Sequence, residues 1–308
     1  MVLFKTNMQN THTIAMVRPA AFGFNTETAD NNHFQDSAQK NNSSLQTLAL
    51  QQFDAMVQLL GSYGIDVLVL EDNIDPEKPD AIFPNNWFSC NNGNITIYPM
   101  YAKNRRTEKR ASLIQNLKNK TGITVVNDWS EFEQQRYFLE GTGSMIIDHE
   151  HRIIYACLSA RTDEILFKKY CKNNNYTSVS FAAADENGNE IYHTNVMMCV
   201  GNNFAVVCLN AISNNLERKK VTDSLQQTGH KIVDISFYQM NNFAGNMLQL
   251  INKKGEYFLV MSTTAFNSLD AGQITTLKKF STIITPQVNH IEKAAGGSVR
   301  CMMAELFY

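Results

Sequence analysis

Four short clusters place groups capable of nucleophilic or acid–base chemistry just before apolar, strand-like runs. Asp80 and Asn86 lie in DAIFPNNW, Glu140 in LEGTG, His193 in YHTN and Cys301 in GGSVRCM. Cysteine can act as a nucleophile, histidine can move protons, and carboxylate or amide groups can hold a polar substrate. Intervals of 54, 53 and 108 residues separate Asn86, Glu140, His193 and Cys301. Taken singly, each has a plain structural reading: a hydrogen-bonding His, a loop carboxylate, a buried thiol. Their recurrence at equivalent places before a strand points to an enzyme.

The elements that position them form a repeat. Two apolar runs joined by a turn cluster occur four times, at Asn86–Met100, Ser144–Leu158, Asn195–Leu209 and Asn246–Met261. The turns are Asn91-Asn92-Gly93, Asp148-His149-Glu150, Gly201-Asn202-Asn203 and Asn252-Lys253-Lys254-Gly255, compositions that favour hairpins. Each hairpin precedes a helix-like stretch: Arg105–Lys118, Thr162–Cys171, Asn214–Gln227 and Ser268–Phe280. Leu113 with Leu117, and Leu216 with Val221 and Leu225, recur at helical spacing. A further strand-like run closes each unit, at 123–126, 177–181, 231–235 and 281–284.

A fifth unit appears when the two ends are joined. Ser298–Phe307 supplies its last strand, His12–Val17 the partner, Leu45–Leu60 the helix and Ile65–Leu70 the closing strand. The expected fold is α/β: five pseudo-symmetric β-β-α-β repeats in a closed ring, which leaves no exposed sheet edge at the seam. The whole chain, 1–308, reads as one catalytic domain.

Composition narrows the function classes. Hydrophobic residues make up 44% of the 308 and charged residues 18%, enough apolar surface for a large core. The net charge of -2 argues against nucleic acid as a partner. The basic run Lys103–Arg110 also contains Glu108 and reads as a solvated helix face. No apolar stretch reaches transmembrane length, so no membrane partner is expected. Met1–Asn10 mixes Lys5, Thr6, Asn7 and Gln9 and lacks a signal peptide's apolar centre. Six cysteines without CxxC pairs argue against a disulfide scaffold. The expectation is a cytoplasmic, soluble protein, with a homo-oligomer possible. Gly141 and Gly143 lack the context of a dinucleotide fingerprint, and the spacing of His and Cys suggests neither a metal nor a cofactor. His193 preceding Cys301, within repeats, argues against a papain-like protease.

GGSVRCM, LEGTG, LSART (158–162) and DAIFPNN resemble motifs of the guanidino-group-modifying enzymes of the pentein superfamily. That superfamily includes arginine deiminases, dimethylarginine dimethylaminohydrolases, arginine dihydrolases and amidinotransferases. The resemblance spans nearly the whole chain. Val17-Arg18-Pro19 with Phe22, Asn25 and Glu27, and Phe83–Trp87, look most like the citrulline-utilisation hydrolases. It implies a five-fold α/β propeller, with Cys301 as nucleophile, His193 as general acid/base, and Glu140 and Asn86 binding guanidino or ureido nitrogens. Arg161 would hold the substrate carboxylate, Asp80 would contact the amino-acid end, and Arg18 and Asn25 would line the rim. The substrate would be a small amino acid.

Two departures from the superfamily bear on substrate charge. Asn86 stands where Asp is common, and Asn195, two after the His, where deiminases often carry an acid. An amide both donates and accepts, which suits a neutral ureido group. The reading is a hydrolase of citrulline or arginine, with citrulline preferred; an amidinotransferase and a catalytically silent pentein are the alternatives. Arg300, adjacent to Cys301, is expected on the opposite face of the strand and outside thiolate activation.

Overall fold

Short strand-forming runs, most deeply buried in the first two strands of each unit, make the centre of the molecule. In the computed structural model, which describes residues 8–41, 43–91 and 93–308, the first of these, β1 (Thr13–Arg18), is buried at all but its last position. It is followed by β2 (Asp66–Glu71), β3 (Phe88–Asn91), β4 (Asn94–Ile97), β5 (Val126–Asp128), β6 (Ile146–Asp148), β7 (Ile153–Cys157) and β8 (Thr177–Phe181). Then come β9 (Met198–Gly201), β10 (Phe204–Val207), β11 (Lys231–Asp234), β12 (Leu248–Ile251), β13 (Tyr257–Val260), β14 (Thr282–Ile284) and β15 (Ala304–Glu305). They form five three-stranded sheets, ordered β3-β4-β5, β6-β7-β8, β9-β10-β11, β12-β13-β14 and β15-β1-β2. In each sheet the first pair is antiparallel and the second parallel. This is the β-β-α-β unit expected from the repeat, five times over.

The fifth sheet is assembled from both ends of the chain, with Ile14 opposite Glu305 and Ala15 opposite Ala304. The first strands of the sheets are the inner ones: β6 packs beside β9, β9 beside β12, and β15 beside β3. A helix crosses over between the second and third strand of each unit and buries an apolar stripe. Leu45, Ala49, Phe53, Met56 and Leu60 form that stripe on Leu45–Ser62. On Glu164–Asn173, Asp163 caps the start by accepting from Leu166 N, and Asn214 caps Asn215–Gln227 by accepting from Leu216 N and Glu217 N.

Several expected boundaries move. The charged stretch after β4 begins as a 3-10 turn at Asn104–Glu108, and the α-helix is Ala111–Thr121. The strand expected at 123–126 starts at Val126. Ser298–Phe307 is largely a turn, with only Ala304–Glu305 in strand. Leu216 is 80% exposed and takes no part in the helix stripe, which consists of Val221 and Leu225. Asn92 of the first hairpin turn and residues 1–7 lie outside the described residues. No described helix is long and apolar enough to cross a membrane.

Residues 9–11 close one end of the ring axis. Gln9 Nε2 donates to the carbonyls of Ile147 in β6 and Val200 in β9, and its Oε1 accepts from His149 N. Asn10 Nδ2 donates to the Gln249 carbonyl in β12, and Thr11 Oγ1 to that of Leu306, just after β15. Four units are thereby tied together through one short segment.

Candidate active site

The other end of the axis collects the groups singled out by type and spacing. Glu140 precedes a single helical turn, Gly141–Ser144, that leads into β6. His193 stands in the same place before Thr194–Met197 and β9. Two hydroxyls lock these turns together. Ser144 Oγ accepts from Glu140 N and donates to the Arg161 carbonyl, and Thr194 Oγ1 donates to the Ser144 carbonyl while accepting from Cys157 N. Gly141 at φ +50 permits the close approach, since a Cβ there would lie 2.2 Å from the Asn85 carbonyl oxygen.

Glu140 is fully buried, and each of its oxygens is used. Oε1 accepts from Tyr101 N at 2.8 Å, and Oε2 lies 2.8 Å from His193 Nε2 and 3.7 Å from Arg161 Nη1. Burial alone would raise its pKa; the His193 hydrogen bond and the charges of Arg161, His193 and Arg105 outweigh this and hold it down at about 2. Burial pulls His193 the other way, to about 4, against the attraction of Glu140. The pair is therefore carboxylate and neutral imidazole at neutral pH. Nε2–H is given to Glu140, which leaves the Nδ1 lone pair for proton transfer.

Cys301 sits in the turn before β15, 6% exposed. Its Sγ accepts from Asn195 Nδ2 and Asn246 Nδ2, each at 3.3 Å. Asn246 is oriented by its other contacts, donating to the Asn195 carbonyl and accepting from Arg300 N. Arg300 turns away: its guanidinium donates to the Met303 carbonyl and to Glu305. It thus lies outside thiolate activation as expected, but through the geometry of a turn and not by alternation along a strand.

Asp80, Asn86 and Asn25 join the site through Arg105. Nη1 of Arg105 donates to Asn86 Oδ1 at 2.7 Å, Nη2 donates to the carbonyls of Asp80 and Phe83, and a bidentate pair joins it to Glu108. Nε of Arg105 lies 3.9 Å from Asp80 Oδ2, which accepts from Asn25 Nδ2 at 2.7 Å. Burial pushes the Asp80 carboxyl up, and that of Glu108 up to about 7, with Arg105 opposing both. The run Lys103–Arg110 is therefore not a uniformly solvated face, because Arg105 and Glu108 are each only 2% exposed. Three polar atoms here are buried without a partner: Asp80 Oδ1, Asn86 Nδ2 and Asn195 Oδ1. Asn86 Nδ2 and His193 Nδ1 approach the same point, for a Cβ on Gly143 would lie 2.4 and 2.8 Å from them.

Two expected rim residues behave differently. Asn25 is buried and holds Asp80. Arg18 pairs with Asp54 of the helix Leu45–Ser62 through two hydrogen bonds of 2.8 and 2.9 Å and makes no contact with the cluster. Arg161 reaches the site and stacks 4.7 Å from the Tyr192 ring centroid. Its Nε and Nη2 donate to Asn31 Oδ1, and Nη2 also to the Thr28 carbonyl.

The match to known proteins follows this geometry. A family model for N,N dimethylarginine dimethylhydrolase, eukaryotic, covers residues 18–308. The chain belongs to this dimethylarginine dimethylhydrolase family. No curated protein sequence matches it. Among solved structures, a variant of the N-terminal domain of ArgZ, covalently bound to a reaction intermediate, superposes with a TM-score of 0.75 at 17% identity. The match covers 96% of this chain and 97% of that one. A substrate-bound variant of the same domain, described as an arginine dihydrolase from the ornithine-ammonia cycle in cyanobacteria, gives 0.73 at 17% identity, covering 94% and 96%. A dimethylarginine dimethylaminohydrolase adduct with S-methyl-L-thiocitrulline gives 0.63 at 16%, covering 96% and 99%. These likenesses establish the pentein fold for this member of the dimethylhydrolase family.

Arg105, Glu108, Asn246 and Tyr192 escaped the reading of the sequence. For Asn246 a signal existed: it stands two residues before β12, as Asn86 stands two before β3.

Proposed function

We propose that the chain is a single-domain, cysteine-dependent hydrolase of the ureido or guanidino C–N bond of an arginine-like amino acid, with citrulline preferred over arginine. Cys301 passes its thiol proton to His193 Nδ1 as Sγ attacks the central carbon, an S–C bond forms, and the C–N bond then breaks as the departing amine takes that proton from Nδ1. Water then gives a proton to His193 Nδ1 and its oxygen to the same carbon, releasing the thiolate. Glu140 keeps His193 in one tautomer and favours the imidazolium formed in transit. Asp80 Oδ1, buried without a partner, would receive substrate N–H groups. A substrate carboxylate would take the Arg161 fork in place of Asn31 Oδ1.

One observation carries the substrate preference. Arg105 can only donate, so the Asn86 atom facing it must be Oδ1, and the atom left unpaired is the donor Nδ2. A lone donor fits the ureido oxygen of citrulline and finds no acceptor on the guanidinium of arginine. The family model and the solved structures, whose names speak of dimethylarginine and arginine, support the hydrolase class and leave the substrate to this site. The test is to supply citrulline, arginine, agmatine and dimethylarginine separately and follow ammonia and amino-acid products, with and without an added amine acceptor. Turnover greatest on citrulline supports the reading. Turnover only with an amine acceptor would make the chain a transferase, and silence on every substrate would remove the enzyme assignment.

A further inference from the structure

At the far end of β6, about 10 Å of strand from the turn that carries Glu140, a second set of titratable groups converges. Asp148, His151 and His230 each present one ligand atom, and those atoms all lie within 4.8 Å of one another. Asp148 ends β6, His151 lies in the turn between β6 and β7, and His230 immediately precedes β11 in the next unit. The intervals of 3 and 79 residues explain why spacing along the chain suggested no metal site. The ring brings together what the sequence separates.

We propose that Asp148, His151 and His230 form a binding site for a divalent transition-metal ion, with zinc the best match to the donor set.

The Asp148 carboxylate is 1% exposed, and among the described residues no Lys or Arg pairs with it. Its partners are His151 N at 2.9 Å, His151 Nδ1 at 3.0 Å and His230 Nε2 at 3.8 Å. A buried carboxylate ordinarily has a cation or a full set of donors. Here two imidazoles face it and one of them is too distant for a hydrogen bond. The 3.0 and 3.8 Å separations bracket the distance of about 3.3 Å between ligand atoms in a tetrahedral site with bonds of about 2.0 Å.

A hydrogen bond behind His230 also holds its ring in place. Thr228 Oγ1 lies 2.7 Å from His230 Nδ1 and within 3.0 and 3.1 Å of the Leu225 and Ser224 carbonyls. Its proton goes to a carbonyl and its lone pair takes Nδ1–H, which frees Nε2 to coordinate. Such an outer hydrogen bond typically orients a ligating histidine. His151 is partly exposed, with a third of its side chain in solvent, so an ion can enter and keep a water as fourth ligand without opening the fold. Two histidines and a carboxylate make the ligand set of borderline ions, and calcium or magnesium would demand more oxygen.

The test uses full-length Cys301→Ser protein, so that the catalytic thiol does not add to the count. The other five cysteines are buried, and burial raises their pKa values. Calorimetric titration with zinc sulfate is expected to show about one ion per chain. His151→Ala, at a solvent-facing position, is expected to weaken it on the order of 100-fold. Cobalt(II) bound in its place should give visible bands of nitrogen and oxygen ligation without a sulfur charge-transfer band. Zinc should also raise Tm in Cys301→Ser and fail to do so in His230→Asn. Absence of saturable binding, or equal binding by His151→Ala, would reduce the cluster to an ion pair of His151 with Asp148 and overturn the proposal. Sulfur bands in the cobalt spectrum would overturn it as well.

Discussion

The two ends of the ring axis treat the same inner strands in opposite ways. Toward their carboxyl ends, Gln9, Asn10 and Thr11 donate to the buried carbonyls of Ile147, Val200, Gln249 and Leu306. At their amino ends, Asp80 Oδ1, Asn86 Nδ2 and Asn195 Oδ1 stay buried and unpaired, although each side chain is otherwise held in place. A fold ordinarily satisfies buried polar atoms, so a cluster of orphans marks where a ligand completes the set. The stoppered end has one exception, Asn10 Oδ1. The open end thus keeps polar atoms free for a ligand, while the closed end spends its polar groups on holding the ring together.

Substitutions at the open end should act on turnover, and those at the closed end on stability. The largest effect is expected for Cys301→Ser, with kcat lowered by about 1,000-fold or more and an unchanged urea midpoint. Near-full activity in that variant would remove Cys301 from the mechanism. Asn86→Asp comes next. The new carboxylate loses the donor to a ureido oxygen and offers a guanidinium an acceptor, so the ratio of kcat/KM for citrulline to that for arginine should fall by about 10- to 100-fold. An unchanged ratio would return the preferred substrate to arginine.

Acid should affect both ends through the open one. His193 in the folded protein titrates at about 4, below its ordinary 6.5, so the unfolded chain takes up that proton first. Stability then declines as pH falls from 6.5 towards 4. Glu140, held at about 2 against an ordinary 4.5, contributes stability that is present above 4.5 and lost as pH falls towards 2. Glu108 and Asp80, whose pKa values burial raises, oppose this decline, so the fall in urea midpoint from pH 7 to pH 4 should be smaller in His193→Asn than in the wild type, and the acid limb of kcat/KM should lie near 4. An acid limb near 6.5 would show that His193 is not buried beside Glu140 as described.

Gln9→Ala is the complementary test at the closed end. It strands His149 N and two strand carbonyls, and should cost about 1–3 kcal/mol by urea denaturation with kcat preserved. A kcat loss without a stability loss would reverse the proposed division of labour. Arg18→Ala should do least, within about 0.5 kcal/mol and without effect on KM, because its ion pair with Asp54 is solvent-exposed.

Much of this was legible from pattern alone. Strand β8 was expected at 177–181 and is found there, because alternation bounded by turn residues is a local signal. Glu140, His193 and Cys301 stood out by interrupting apolar strand entries at repeat intervals. Arg105 and Glu108 did not, because a charge run on a helix looks the same whether its face meets water or a buried carboxylate. Cys301 was placed on a strand that proves to be a turn, since Val299, Met302 and Met303 are apolar for reasons of core packing and not of pairing. Arg18 was drawn towards the site by its motif, yet the end of β1 delivers it to the outside, beside Asp54.

The seam at β15 bears on the order of events during synthesis. Nascent chains fold from the amino-terminal side as they are made. Strand β1 can pair with β2 early, but its antiparallel partner lies some 290 residues away and arrives after four complete units. Cys301 arrives with it, three residues ahead of β15. Its amide donors, Asn195 and Asn246, stand on units already formed. The thiol therefore gains its two amide contacts in the same step that shuts the ring. If Cys301 is the nucleophile proposed above, a chain arrested before that step would carry a pocket without it, and closing the ring would also complete the site.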